Sequence, residues 1–371
     1  MAFTLLPGRR EFPRPRPTFR LVALAMALVL WAAACGSGGS GPATQGESGD
    51  GEVVLVTHDS FALSDAVVAS LAESGIDLRI LASGDAGQAL NQSILAGDHP
   101  LGDLFFGVDN ILMTRALDAD IFEPYRSPLL DAVPEEYRLD PSMRLTPVDR
   151  GDVCLNYDIS WFADRDLEPP TRLDQLTDPA YRDLLVVENP ATSSPGLAFM
   201  MATIARFGTD GPYSWLDFWA DLRMNGVRVD PGWTEAYFTD FTVGGGGDRP
   251  LVVSYASSPP AEVVFADPRP ATAPTAVIEE TCFRQIEFAG VLKGASNPEG
   301  ARRVIDFLLS VPVQEDIPMS MFVFPVNRDA QLPSEFVQFA VVPAEPLSLP
   351  PEEIDTNRER WIQEWTDVVL R

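Results

Sequence analysis

From Glu52 the chain alternates between β-branched runs and amphipathic stretches, and that alternation restricts its fold more than any other feature. "EVVLVTHDSF" opens with a strand pattern that turns polar. "SDAVVASLAESG" reads as a helix capped by Ser64 and stopped at Gly75. "DLRILAS" is a second strand, and "GDAGQALNQSILAG" a second helix, with Asp85 as cap and Gln88 three residues on. "GDLFFGVDN" is a third strand ending at Asp109. Strand–helix alternation of this kind builds an α/β domain around a parallel sheet covered on both faces. Such sheets bind ligands beyond the carboxyl ends of their strands. His58, Asp59, Ser60, Asp85 and Asp109 all fall just past strand ends, which makes them the first candidate site residues.

The character changes near Arg150. "GDVCLNYDISWF" reads as a strand crossing into a second lobe, followed by strand, turn and helix over "YRDLLVVENPATSSPGLAFMMATIARFG". In that helix Ser194 is the expected cap, Pro195 the first helical residue and Gly208 the stop. "WLDFWADLRMNG" is an amphipathic helix, and Gly244 to Gly247 read as a flexible surface turn, since no Gly-Lys-Ser/Thr follows. "CFRQIEFAGVLKG" returns as a strand, "NPEGARRVIDFLLSVPVQEDI" as one helix, and "DTNRERWIQEWTDVVLR" as a closing helix. The expected plan is a first lobe over 52–150, a second over 151–285, and a return to the first over 286–371. It leaves a cleft between two α/β halves.

The residues before Glu52 read as export and tether. Arg9, Arg10, Arg14, Arg16 and Arg20 precede the apolar "LVALAMALVLWAAAC", a signal peptide over 1–34. Ala32, Ala33 and Ala34 before Cys35 resemble a lipoprotein cleavage box, with Cys35 taking the lipid; cleavage without an anchor is the alternative. The Gly/Ser-rich stretch over 35–51 is a flexible tether. Nothing later is long or apolar enough to span a bilayer. The expected location is extracytoplasmic, with membrane contact only through the lipid. In an oxidising compartment the two remaining cysteines, Cys154 and Cys282, are expected to be bonded, with two buried free thiols as the alternative.

The formal charge is −27, and the sole lysine is Lys293. A nucleic-acid partner needs a basic face that this chain lacks. His58 and His99 are the only histidines, neither in a metal-ligand spacing, and no G-x-S-x-G or H-E-x-x-H occurs. Nothing in the sequence calls for a cofactor, a metal or catalysis. Three stretches stand out. "TSSPG" sets hydroxyls and free N–H groups at a helix start, which suits an anion or simply caps the helix. "SYASSPP" sets Tyr255 and serines at a strand end, a ligand loop or an ordinary polar loop. "PGWTEAY" sets Trp233 on a turn, either as a core ring or as a platform for a flat cation.

Taken in order, "THDSF", "FFGVDN", "PATSSPGLAF", "PGWTEAY", "LVVSYASSP" and "FPV" resemble the periplasmic thiamine-binding proteins of bacterial ABC importers. The resemblance runs from about Val53 to the C-terminal helix. It implies a two-lobed periplasmic-binding-protein fold, type II-like, with the ligand between the lobes. It implies a monomeric receptor, without bond chemistry, that hands thiamine or a thiamine phosphate to an ABC permease and its ATPase. It assigns Trp233 and Tyr255 to the vitamin, and Asp85 and Ala86 to the opposing wall. Ser193 and Ser194 fall to the hydroxyethyl or phosphate end, and Ser257 and Ser258 to the polar loop. His58 stands where the family has Tyr, and Phe322 where it has a stacking Trp. Asp59, Asp85 and Asp109 are the acids available to the pyrimidine amine and the positive ring. Tyr237, one helical turn from Trp233, is expected to pack inward. Receptors for a polyamine or metal complex, or a thiamine-degrading enzyme using Cys154, are the alternatives.

Overall fold

The computed structural model describes residues 51–371. The segments expected to be signal peptide and tether, with Cys35, lie outside the described residues except for Gly51. Ten strands form one sheet: β1 (Glu52–Thr57), β2 (Asp77–Ala82), β3 (Leu104–Asp109), β4 (Phe122–Glu123), β5 (Thr146–Asp158), β6 (Leu185–Glu188), β7 (Arg228–Asp230), β8 (Leu251–Tyr255), β9 (Thr275–Leu292) and β10 (Phe324–Pro325). Their main order is β2-β1-β3-β9-β5-β8-β6-β7, with β10 on β5 and β4 on β9.

Two long antiparallel strands give the molecule its two lobes. β1, β2 and β3 are parallel to one another, and β3 pairs antiparallel with the later part of β9. β6, β7 and β8 are parallel, and β8 pairs antiparallel with the later part of β5. β5 and β9 pair with each other along both halves, so the chain changes lobe along strands rather than at linkers. The expected boundaries after Arg150 and Gln285 therefore fall inside β5 and β9. Where the strands cross, the register jumps: Val153 faces Phe283, but Leu155 faces Ile278. Cys154 and Cys282 are joined by a disulfide at this irregularity.

Three local expectations need correction. The helix Ser194–Phe207 is capped by Ser193, whose Oγ accepts the Gly196 N–H at 3.3 Å, so Ser194 already lies within the first turn. The apolar period across 298–317 belongs to two helices, Pro298–Leu309 and Val311–Ser320, because Ser310 is extended and Pro312 starts a new turn. The four glycines are no loose turn. The Gly245, Gly246 and Gly247 N–H groups bond the Phe241 and Thr242 carbonyls. A Cβ on Gly247 would come within 2.2 Å of the Asp240 carbonyl. Glycine is needed there so that two backbones can touch.

The C-terminal helix Pro351–Val369 spans both halves. Trp361 and Trp365 are fully buried, and Trp365 meets Trp219 edge to face at 5.4 Å. On the other side, buried Arg358 donates to the Ile111 carbonyl at 2.9 Å. No described helix is long and apolar enough to cross a membrane.

Candidate functional site

The strand ends converge on a narrow, largely closed cleft whose own cavity holds only about 20 Å³. One wall carries His58 and Ser60 after β1, with Asp85 and Ala86 at the start of the helix Ala86–Ala96. The other carries Ser194, Pro195, Trp233 and Tyr255, and Glu287 of β9 also lines it. No basic side chain of Lys or Arg lines the cleft among the described residues.

Asp85 joins the walls. Its Oδ1 accepts the Ala86 N–H at 2.6 Å and the Ser194 N–H at 3.0 Å, and its Oδ2 accepts the Trp233 N–H at 3.0 Å. The anion seat read from "TSSPG" is thus filled by a carboxylate from the opposite side. Beside it the Gln88 N–H donates to the Thr192 carbonyl at 2.9 Å, and Gly87 has no room for a Cβ against that oxygen. Burial raises the Asp85 carboxyl to about 6, while its backbone donors pull the other way.

Trp233 is half-buried and positioned by its surroundings. Its ring stacks on Tyr237 at 5.0 Å and 24°. Its Nε1–H donates to Ser254 Oγ at 2.9 Å, and Ser254 exchanges a hydrogen bond with Ser258 at 2.8 Å. Ser258 also accepts the Tyr255 N–H. Tyr255 stands 6.4 Å from Trp233 at 63°, its ring lying against the Gly151 backbone. Tyr237 packs inward, 2% exposed, with its hydroxyl donated to Glu262 at 2.8 Å. The indole is neither pure core nor free platform: one face is fixed, and the remainder faces the cleft.

Several expected residues lie behind or beside the cleft. Ser193 caps the helix and its side chain also hydrogen-bonds Asp85, while the Ser194 hydroxyl donates to Asp109 and accepts from Gln285. Asp109 also takes the Ile111 and Leu112 N–H groups, and burial raises its carboxyl to about 6. Ser257 is buried with its Oγ unpartnered. Exposed Asp59 accepts the Thr234 hydroxyl at 3.1 Å. Phe322, in the left-handed region at φ 56°, meets Phe265 edge to face at 5.4 Å and does not line the cleft.

Sequence reasoning passed over three buried acids. Glu287 lines the cleft, Asp149 lies beside it on β5, and Glu188 closes β6. The Asp149 carboxyl meets only the Glu287 carboxyl, and the Glu188 carboxyl finds no partner beyond its own backbone. Burial raises all three carboxyls, and neighbouring acids raise Glu188 and Glu287 further. Each sits in a strand that the assembled sheet buries on both faces, which the sequence does not show. His58 donates or accepts at Nδ1 with Ser60 at 2.8 Å, and its Nε2 lies 3.7 Å from Glu287. Burial lowers the imidazole to about 4, so it is neutral at neutral pH.

A cleft between two lobes joined by crossing strands, closed by contacts from both sides, defines a receptor that encloses a small ligand. The chain belongs to the bacterial extracellular solute-binding protein family, whose profile matches residues 99–341. The thiamine-binding periplasmic protein of Salmonella typhimurium is 28% identical over 327 residues, covering 86% of this chain and 94% of that one. A solved periplasmic thiamin binding protein superposes with a TM-score of 0.76 at 26% identity, covering 89% of this chain and 100% of that one. Iron-bound HitA from Pseudomonas aeruginosa shares the fold at TM-score 0.66 and 18% identity, over 85% of this chain and 99% of that one. Among the described residues no group of His, Cys, Asp or Glu is arranged to hold a metal ion. Cys154, bonded to Cys282, offers no thiol to the enzyme alternative.

Proposed function

We propose that this chain captures thiamine in the cleft and delivers it to an ABC permease with its ATPase. One observation carries the reading: the rings of Trp233 and Tyr255 and the acids Asp85 and Glu287 share a cleft with no Lys or Arg in its lining. Thiamine offers a permanently positive thiazolium and a flat aminopyrimidine. An aromatic face stabilises such a cation by about 0.5–2 kcal/mol, more once water is excluded. Carboxylates oppose its charge and accept from its amine. The names of the relatives in Salmonella and among solved structures support the same ligand.

Capture proceeds by closure of the two lobes, 52–150 with 286–371 against 151–285, and involves no catalysis. The receptor works as a monomer outside the cytoplasm, held to the membrane by a lipid on Cys35. Thiamine phosphates enter the same cleft only by contending with Asp85 for the Ser194 N–H. Equilibrium dialysis with thiamine, its monophosphate, its diphosphate and spermidine tests the reading. Thiamine is expected to be retained at one per chain and spermidine to pass through. Retention of spermidine without thiamine would overturn it.

A further inference from the structure

Three carboxylates stand side by side across the sheet next to the cleft. Asp109 on β3 and Asp149 on β5 are both direct cross-strand partners of Glu287 on β9. Directly opposed residues share a face of the sheet, with Cβ atoms about 4.5–5.5 Å apart, and like charges so placed repel. Asp109 and Asp149 are 0% exposed and Glu287 is 7% exposed. A buried row of acids requires a counter-charge, protons, or both.

Among the described residues no Lys or Arg forms an ion pair with this row. Arg150, next to Asp149 on the strand, is turned to the other face, its guanidinium over Tyr137 and Phe324. Arg284 is paired with Asp152. Arg358 of the C-terminal helix acts on Asp109 from a distance but donates to the Ile111 carbonyl. His58, 3.7 Å from Glu287, is neutral, and its buried Nε2 has no hydrogen-bond partner. The remaining groups acting on Glu287 or its surroundings, Asp85 and Tyr255, add no positive charge. Within the row, Asp109 is satisfied by backbone N–H groups and the Ser194 hydroxyl, whereas the Asp149 oxygens meet no N–H or hydroxyl donor and have only the Glu287 carboxyl as a hydrogen-bond partner, a contact that requires a proton between the two acids. Glu287 alone of the three lines the cleft.

We propose that Glu287, backed by Asp149 and Asp109, reads the positive charge of the ligand, and that the cation enters in exchange for a proton held by Glu287 and Asp149. This rests on the cation-binding reading above. Without ligand, one proton neutralises part of the row. When a cation seats against Glu287, the carboxyl loses that proton to solvent and the resulting carboxylate pairs with the positive ring. The charge of the site is conserved, and no other reactant is needed. Burial raises both carboxyls in the free protein and so favours the protonated form that the exchange starts from. Binding releases protons, and affinity therefore rises with pH by about tenfold per unit for each proton exchanged.

Calorimetric titration of the intact protein with thiamine, between pH 6 and 8 and in two buffers of different ionisation enthalpy, counts the protons. Wild type is expected to release about one proton and to bind roughly tenfold tighter at pH 7 than at pH 6. Glu287→Gln is expected to release few or none, to lose the pH slope, and to bind thiamine tenfold or more weakly. Its melting temperature at pH 8 should be no lower than that of wild type, because a buried like charge has been removed. Thiamine binding without proton release, or a Glu287→Gln protein that behaves as wild type, overturns the proposal. Spermidine separates it from the thiamine reading. Proton-linked spermidine binding that Glu287→Gln abolishes, with thiamine ignored, sustains the acid row while refuting thiamine as the ligand.

Discussion

Trp233 is held before any ligand arrives: Tyr237 supports one face, Ser254 takes the indole N–H, and Asp85 takes the backbone N–H. A pre-positioned ring loses little freedom on binding, which is where such residues gain their effect. Trp233→Ala should weaken thiamine binding by about 2–4 kcal/mol, the range of buried aromatic anchors. Trp233→Phe should keep most of the stacking and lose only the bond to Ser254. Ser254→Ala touches no ligand yet frees the indole, and should weaken binding by about 1 kcal/mol. Affinities and melting temperatures measured together on all three variants check this; a loss of stability with unchanged affinity would return Trp233 to the core. This residue was legible because a Pro-Gly turn precedes it. Glu287 was not, because an acid in a strand reads as an outward residue until the sheet is seen to bury both faces.

The crossing strands and their attachments determine how the walls meet. The disulfide at the register jump closes a separation of 128 residues. Paired replacement, Cys154→Ser with Cys282→Ser, should cost about 5 kcal/mol by the loop-closure argument, read as a lower denaturation midpoint. Gly247→Ala should cost about 1–3 kcal/mol, since its Cβ would meet the Asp240 carbonyl and the segment beneath Trp233 would have to move. The strand–helix alternation through Asp109 was readable because each element there begins and ends on its own cap or turn. The full lengths of β5 and β9 were not. Their early residues, around Pro147 and Glu279, carry Pro and acids that read as loop, and only the pairing of the two strands makes them extended. The run of glycines was misread for a related reason: close approach to the 236–240 backbone is a tertiary fact with no local signature.

At the scale of the whole molecule, the cleft concentrates acids with raised carboxyls against a single histidine with a lowered one. Asp85 and Asp109 fold with values near 6 against an ordinary 3.8, so the folded state holds extra protons between those limits. Their contribution to stability is present below about pH 4 and lost as pH rises through about 6. His58 works the other way, its contribution fading as pH falls from 6.5 toward 4. The acids outnumber the histidine, and the ion pairs elsewhere are mostly exposed and weak. The unliganded protein should therefore melt higher at pH 5 than at pH 7.5, with the difference narrowed by ligand or by Glu287→Gln. Thermal scans at both pH values test this; a higher melting point at pH 7.5 without ligand would contradict it. The most direct test of the central claim compares thiamine with thiochrome, its neutral oxidised tricycle, by calorimetric titration at pH 7.5. A cleft built for a flat cation should bind thiamine on the order of a hundredfold more tightly, near 2.7 kcal/mol. Equal affinities, or no saturable heat with thiamine, would contradict the account.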